Sequence, residues 1–399
     1  MPGEPGGSIL LTIDRTAPTV LIDLDRDAFN IDNQTATVTF TLSEADPFFD
    51  KTFVAVTGGT ISDLTANGYD TVRTSVGYSL MSGQEIEALR GSGTVGLVLT
   101  GNEFDNRIVG TSGNDVIDGK AGVDALFGGL GDDVYYVDNV GDQVTEAAQA
   151  GSDTVRASVS YTLKAGQEIE TLEGSGSTGL TLTGNNFANT IVGTAGNDIL
   201  DGKTGADTLS GGAGSDTYYV DNANDRVIET TGTDTVYASV SYALESGVSI
   251  ETLRAFGSKA LTLTGNELAN TIVGGAAKDV IVGGLGQDTL TGGAGSDTFV
   301  FKTVSDSGNG VANRDAILDF KVGVDHIDLS GIQAVSGAAT DQSFLFIEGA
   351  FTKHKGELHA VTSGSSTIIE GDVDGNGKAD FQIVLRGTIE ALHATDFVL

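Results

Sequence analysis

The chain contains no cysteine and no tryptophan, and only two methionines, four prolines and four histidines in 399 residues. Without cysteine there is no disulfide framework, no thiolate nucleophile and no zinc–thiolate site, and a chain crossing between compartments needs no oxidation step. Basic residues are scarce too, 21 against 55 acidic ones, for a formal net charge of −34. So acidic a surface is repelled by nucleic acid and by anionic membranes, and neither is an expected partner. No apolar run reaches the roughly 18 residues of a spanning helix, so no membrane span is predicted. The opening residues lack a basic segment followed by an apolar one, so the Sec route is not expected. There is no HExxH zinc helix and no GxSxG elbow. All four histidines (His326, His354, His359, His393) fall in the last hundred residues, and His354 and His359 stand five apart rather than the four that a zinc helix needs. The chain is therefore read as non-enzymatic.

What the chain has is glycine, 57 residues of it, in register with aspartate. Nine times, in three bursts of three, glycine is followed five residues later by aspartate and then, two residues on, by a large apolar residue. The first burst, 110–136, places Gly110, Gly119 and Gly128 at position one, Gly113, Gly122 and Gly131 at position four, Asp115, Asp124 and Asp133 at position six, and Ile117, Leu126 and Tyr135 at position eight. The second, 193–219, repeats this with Gly193, Gly202, Gly211; Gly196, Gly205, Gly214; Asp198, Asp207, Asp216; and Leu200, Leu209, Tyr218. The third, 274–300, has Gly274, Gly283 and Gly292, then Gly286 and Gly295, with Asp279, Asp288, Asp297 and Ile281, Leu290, Phe299; Ala277 stands where its first repeat should have glycine. Thr111, Lys120, Thr194 and Lys203 replace glycine at position two.

Glycine-rich half-repeats let a short turn enter left-handed conformations and aim several carbonyl oxygens at one point, while the aspartate adds an anionic oxygen. Ca²⁺ takes six to eight such oxygens. Positions seven to nine form a short strand that points position eight inward. One turn cannot enclose an ion or bury its apolar residue, but stacked turns can do both. These nonapeptides resemble the repeat-in-toxin (RTX) calcium-binding motif GGxGxDxUx. The resemblance implies an all-β fold: a right-handed parallel β-roll, or solenoid, holding several Ca²⁺ ions, on the order of six if each stacked pair of turns shares one. Position six supplies the carboxylate and the glycines supply carbonyls. The Asp-Pro-His-Glu motif of RTX-bearing alginate epimerases is missing.

A longer unit surrounds the bursts. Asp70-Thr71-Val72 through Tyr78 recurs at Asp153–Tyr161 and Asp234–Tyr242, spacings of 83 and 81 residues. Each copy runs through Ile-Glu (Glu87, Glu170, Glu251) to a Gly-Asn pair that opens a weaker nonapeptide with Asn106, Asn189 or Asn270 at position six. These read as opening turns with carbonyl ligands at best. The units are placed at 66–136, 137–219 and 220–300. Val155, Ala157, Val159, Tyr161 and Leu163 alternate with polar residues, as in a half-buried strand. Between bursts two readings stand: a continuing solenoid without calcium turns, or a separate small β-module.

Residues 301–399 resemble the C-terminal domain that follows the β-roll in serralysin-type metalloproteases, through Asp315–Ser330 (DAILDFKVGVDHIDLS), Gly371–Leu385 (GDVDGNGKADFQIVL) and the terminal Asp396-Phe397-Val398-Leu399. The resemblance implies a β-rich secretion domain whose C-terminus is an uncleaved signal for a type I ABC exporter, and hence a secreted, extracellular protein. Asp372, Asp374, Asn376 and Asp380 have the alternating-oxygen spacing of a DxDxNG calcium loop, although Ile383 at the twelfth position excludes an EF-hand. Residues 14–65 (DRTAPTVLIDL, TATVTFTLSEA, FVAVTGGTISDLT) are similar to the opening strands of bacterial Ig-like domains, a partial segment suited to capping the solenoid. Residues 1–13 read as a leader or linker.

The carboxylates clustered in register repel one another without cations, so the predicted behaviour is a chain disordered in chelator and folded in calcium. Extracellular calcium modules bind at about 0.1 to 1 mM, so such a chain stays unfolded in the cytosol, threads an exporter and folds outside. The expected role is a non-enzymatic extracellular or surface component, with an extracellular polysaccharide or surface molecule as a candidate partner. The alternative is the calcium-binding, secretion-carrying part of a larger hydrolase or epimerase.

Overall fold

A computed structural model describes residues 69–337, 342–387, 389 and 391–399, together with the strands Val20–Leu24 and Val38–Leu42, which pair antiparallel. The expectations for 1–13 and for the rest of 14–65, including the cap, lie outside the described residues.

From Thr71–Thr74 onward the chain is a parallel β-solenoid. Short strands alternate between two faces, so each pairs with the strand two further on. Ile117 sits beside Tyr135, and Leu126 beside Val144, both eighteen residues along, which makes one full turn of two nonapeptides. The strands carry an inward residue flanked by partly exposed ones, as in Val116–Asp118, Ala125–Phe127 and Thr208–Ser210. All nine position-eight residues, from Ile117 to Phe299, are fully buried and belong to one continuous core. Tyr135 and Tyr218 are core residues, as their inward positions predict.

The solenoid does not stop between bursts, which decides between the two readings left open above. Thr154–Ala157 pairs in parallel with Val134–Val137 on one side and Thr171–Gly174 on the other. Thr235–Ala238 likewise joins Thr217–Val220 to Thr252–Ala255. Each long unit comprises nine strands, Thr71–Thr74 to Gln143–Thr145 and then Thr154–Ala157 to Arg226–Ile228. Nine is odd, so the second unit begins on the opposite face from the first. The hydrogen-bonded ladder breaks at the same seam after the first and second units, between Gln143–Thr145 and Tyr161–Thr162 and between Arg226–Ile228 and Tyr242–Ala243, and there a tyrosine bridges. The Tyr161 hydroxyl donates to the Asp142 carbonyl (3.3 Å) and accepts the Val144 N–H (3.2 Å), and the Tyr242 hydroxyl donates to the Asp225 carbonyl (3.2 Å).

The parallel ladders run past residue 300. Asp315–Ile317 pairs with Thr289–Thr291, and His326–Asp328 with Thr298–Val300. A three-stranded antiparallel sheet, Glu357–Ser363, Ser366–Asp372 and Phe381–Arg386, then joins one face through Asp315–Ile317. The C-terminus is docked: Phe397–Val398 adds in parallel to His326–Asp328, and Phe397 is buried. Among the described residues the only helical element is the 3₁₀ turn Ala394–Asp396, and no helix is long and apolar enough to cross a membrane.

Candidate metal centres

The position-six aspartates are buried and stacked. Each accepts, through Oδ1, the backbone N–H one turn earlier: Asn106 to Asp124 (2.7 Å), Asp115 to Asp133 (2.7 Å), Asn189 to Asp207 (2.7 Å), Asp198 to Asp216 (2.7 Å), Asn270 to Asp288 (2.8 Å) and Asp279 to Asp297 (2.9 Å). The columns continue through residues that motif reading passed over. Asp142, Asp225 and Asp315 accept the N–H of Asp124, Asp207 and Asp288, while Asp153, Asp234 and Asp325 accept those of Asp133, Asp216 and Asp297. Glu170 and Glu251 then accept the N–H of Asp153 and Asp234. The eighteen-residue offset from Asp124 to Asp142 and from Asp207 to Asp225 was the available signal.

The second oxygens divide the nine aspartates into two groups. In the first repeat of each burst Oδ2 is satisfied: Asp115 accepts the Thr111 N–H, Asp198 the Thr194 N–H and Asp279 the Gly275 N–H, each at 2.6 Å. In the second and third repeats Oδ2 of Asp124, Asp133, Asp207, Asp216, Asp288 and Asp297 is buried with no hydrogen-bond partner. A buried, unpartnered carboxylate oxygen is costly unless a cation meets it. Burial pushes the carboxyls of Asp124, Asp133, Asp207 and Asp288 up to about 7 and that of Asp216 to about 6. A Cβ built on Gly119, Gly128, Gly202, Gly211, Gly283 or Gly292 would collide with the Oδ2 of the aspartate five residues on, so position one must be glycine for that oxygen to have its place. The residues present therefore fit hard divalent cations, with the six orphaned carboxylates and the glycine-turn carbonyls as ligands.

Backbone conformation follows the same division. Gly131 (φ +103°) and Gly286 (φ +119°), position four of later repeats, occupy the left-handed region that a side chain disfavours. Gly113, Gly196 and Ala277, position four of first repeats, do not, so Ala277 is tolerated without backbone strain. At position two Lys120 and Lys203 do adopt left-handed conformations (φ 63° and 61°), each closing on the preceding aspartate, Asp118 or Asp201, through its ammonium. The opening asparagines use both ends of their amides. Asn189 Oδ1 accepts the Asn185 N–H (2.9 Å) and its NH₂ donates to the Ile169 carbonyl (2.7 Å), an exchange that aspartate could not make. Asn106 and Asn270 do the same.

In the C-terminal domain Asp372, Asp374 and Asp380 bring carboxylate oxygens within 4.8 Å of one another at the hairpin between two antiparallel strands. Here the carboxylates already hold the loop: Asp372 accepts the N–H groups of Gly375 and Gly377 (both 2.7 Å), and Asp380 that of Val373 (2.8 Å). Asn376 is turned back onto Asp374, donating to Oδ2 at 2.8 Å.

A two-faced parallel solenoid of glycine–aspartate turns, with carboxylate columns along its edges, defines a repeat protein of the RTX β-roll class. The chain belongs to the serralysin C-terminal family: the Peptidase M10 serralysin C terminal family matches residues 87–399, and a bacterial Ig-like domain matches residues 14–76. It is 43% identical over 187 residues to the metalloprotease AprA of Pseudomonas entomophila, covering 45% of this chain and 36% of that protein. It is 39% identical over 92 residues to the endo-1,3-1,4-beta-glycanase ExsH of Rhizobium meliloti, covering 23% of this chain and 19% of that one. The chain thus spans about a third or less of the length of these relatives. Among solved structures, the AlgE6R2 subunit of the Azotobacter vinelandii mannuronan C5-epimerase aligns at 23% identity and a TM-score of 0.28, covering 41% of this chain and 91% of that one.

Proposed function

We propose that this chain is a secreted calcium-binding RTX protein whose β-roll folds when Ca²⁺ binds after type I export, and which acts outside the cell as a non-enzymatic extracellular or surface component. The observation that carries the reading is the set of six buried, unpartnered Oδ2 atoms, two per burst, each beside a position-one glycine. When bound, calcium would neutralise these carboxylates and tie successive turns together, so its binding free energy is also folding free energy. The glycine turns offer little else to offset the entropy of ordering them. Millimolar affinity would keep the chain unfolded until it leaves the cytosol through an ABC exporter that reads its C-terminus. An extracellular polysaccharide or another surface molecule is the partner class that remains for so acidic a surface.

A second reading has its own support: relatives named as a metalloprotease and a glycanase share only part of their length with this chain. On that reading the segment is the calcium-dependent carrier of a larger hydrolase. Both readings require the same first test, far-UV circular dichroism of chelated protein during a calcium titration with magnesium as control. A cooperative gain of β signal between about 0.1 mM and a few millimolar calcium, absent with magnesium, is the expected result. A chain fully folded in chelator and indifferent to calcium would overturn it.

A further inference from the structure

The second and third aspartates of a burst meet different turns one coil further on. Above the second, Asp142 and Asp225 turn Oδ2 to N–H groups of their own loops; above the third, Gly151 or Gly232 stacks over Gly131 or Gly214, but a glutamate stands where position one should hold glycine. After Asp133 the chain instead places Glu146 eighteen residues beyond Gly128, where position one of the next turn would fall, and Asp153 as the next carboxylate of the column. Oxygens of Asp133, Glu146 and Asp153 lie within 4.8 Å of one another, and all three side chains are more than nine-tenths buried. Oδ2 of Asp133 and Oδ2 of Asp153 have no partner. A Cβ on Gly128 would strike both Asp133 Oδ2 and the Tyr135 hydroxyl, which places the orphaned oxygen beside the tyrosine that holds Glu146.

The second unit builds the same group independently. Asp216, Glu229 and Asp234 cluster within 4.8 Å, the second oxygens of both aspartates are orphaned, and the Tyr218 hydroxyl donates to Glu229 Oε2 at 2.5 Å while accepting the Gly211 N–H at 2.9 Å. The third burst drops the arrangement as a whole. Phe299 replaces the tyrosine, and the carboxylate facing that turn, Asp319, accepts the N–H groups of Gly292 and Gly293 (2.9 and 2.8 Å). Tyrosine and glutamate are present together twice and absent together once. This pattern goes with a joint task rather than with two separate core contacts.

We propose that Asp133, Glu146 and Asp153, and again Asp216, Glu229 and Asp234, form burst-closing sites for a hard divalent cation, Ca²⁺ in the extracellular setting, with Tyr135 and Tyr218 as positioning residues that orient the glutamates. Three converging carboxylates repel strongly in a buried setting, and a divalent cation is the ligand that turns this repulsion into attraction. The two sites close the first two bursts with side-chain oxygen where position one of the stacked turn no longer holds glycine. The proposal rests on the calcium reading above and adds four ligands to it, Glu146, Asp153, Glu229 and Asp234.

The test counts ions on the full chain by native mass spectrometry at saturating calcium. The paired variant Glu146→Gln and Glu229→Gln, which keeps an acceptor for each tyrosine, is expected to bind two fewer ions than the parent. The exposed change Glu173→Gln is expected to bind the same number as the parent. A second arm uses terbium luminescence excited through tyrosine, which the absence of tryptophan makes readable. Tyr135→Phe with Tyr218→Phe copies the packing already present at Phe299 and should lower that emission by about half or more. Calcium binding with an unchanged ion count in the glutamine pair overturns the closing sites and leaves the nonapeptide sites standing, whereas no calcium binding by the parent overturns both. If the glutamine pair does not fold, the phenylalanine pair decides, and unchanged terbium emission overturns the proposal.

Discussion

At the scale of single residues, nine aspartates that look alike in sequence do different work. Asp198 uses both oxygens to hold backbone N–H groups, from Leu180 (2.5 Å) and Thr194 (2.6 Å), whereas Asp207 holds one and leaves the other orphaned. Asp207→Asn should therefore lower the number of calcium ions bound by one while keeping the Asn189 N–H partnered. Asp198→Asn should keep the count but reduce stability in urea at saturating calcium by roughly 1 to 3 kcal/mol, because its amide turns a donor toward a donor. Native mass spectrometry and urea titration separate the two, and equal loss of ions in both variants would erase the distinction. The motif itself could not reveal this division, since it depends on whether the residue at position two can donate to Oδ2. Ala277 hinted at it: the one missing position-four glycine falls in a first repeat, where the backbone does not enter the left-handed region.

At the scale of elements, the bursts were legible because glycine, aspartate and one apolar residue recur at fixed spacing, and the buried columns from Ile117 to Phe299 follow directly. The stretches between bursts were less so. Their turns lack glycine pairs and their spacing drifts, with Asp153 following Asp133 by twenty residues rather than eighteen. Only the geometry shows that Asp153, Glu170, Asp234 and Glu251 carry the same column onward. The seams depend on Tyr161 and Tyr242, whose hydroxyls reach the Asp142 and Asp225 carbonyls where the strand ladder is interrupted. Replacing both with phenylalanine should cost about 1 kcal/mol per hydroxyl, read as a lower urea midpoint in saturating calcium. An unchanged midpoint would mean that apolar packing alone closes the seams.

At the scale of the whole molecule, the carboxyl terminus is a structural part as well as a candidate export signal. Phe397 is buried against Phe346 (ring centroids 5.1 Å apart), Asp396 accepts the Gly323 N–H at 2.7 Å, and the Val398 carbonyl accepts the Leu329 N–H at 2.8 Å. Removing residues 396–399 should lower the melting temperature of the calcium-loaded protein, through loss of about 2 to 3 kcal/mol from the phenylalanine, and should speed amide exchange at Ile327 and Leu329. Unchanged exchange there would show that the last strand does not brace the sheet. A terminus needed in the finished fold cannot also stay free for recognition, so on the export reading it is read before the sheet closes over it.

Nine strands per unit has a geometric outcome of its own. Arg73 and Tyr237 project from one face of the solenoid, and their counterpart in the middle unit, Arg156, projects from the other. Like positions return to one side only after two units, or nine strands on that face, about 43 Å at the usual spacing of parallel strands. A filament lying along one side would meet the same position of the unit at that interval, with its side chain changed from Arg73 to Tyr237. Two filaments on opposite sides would meet it half a period out of step.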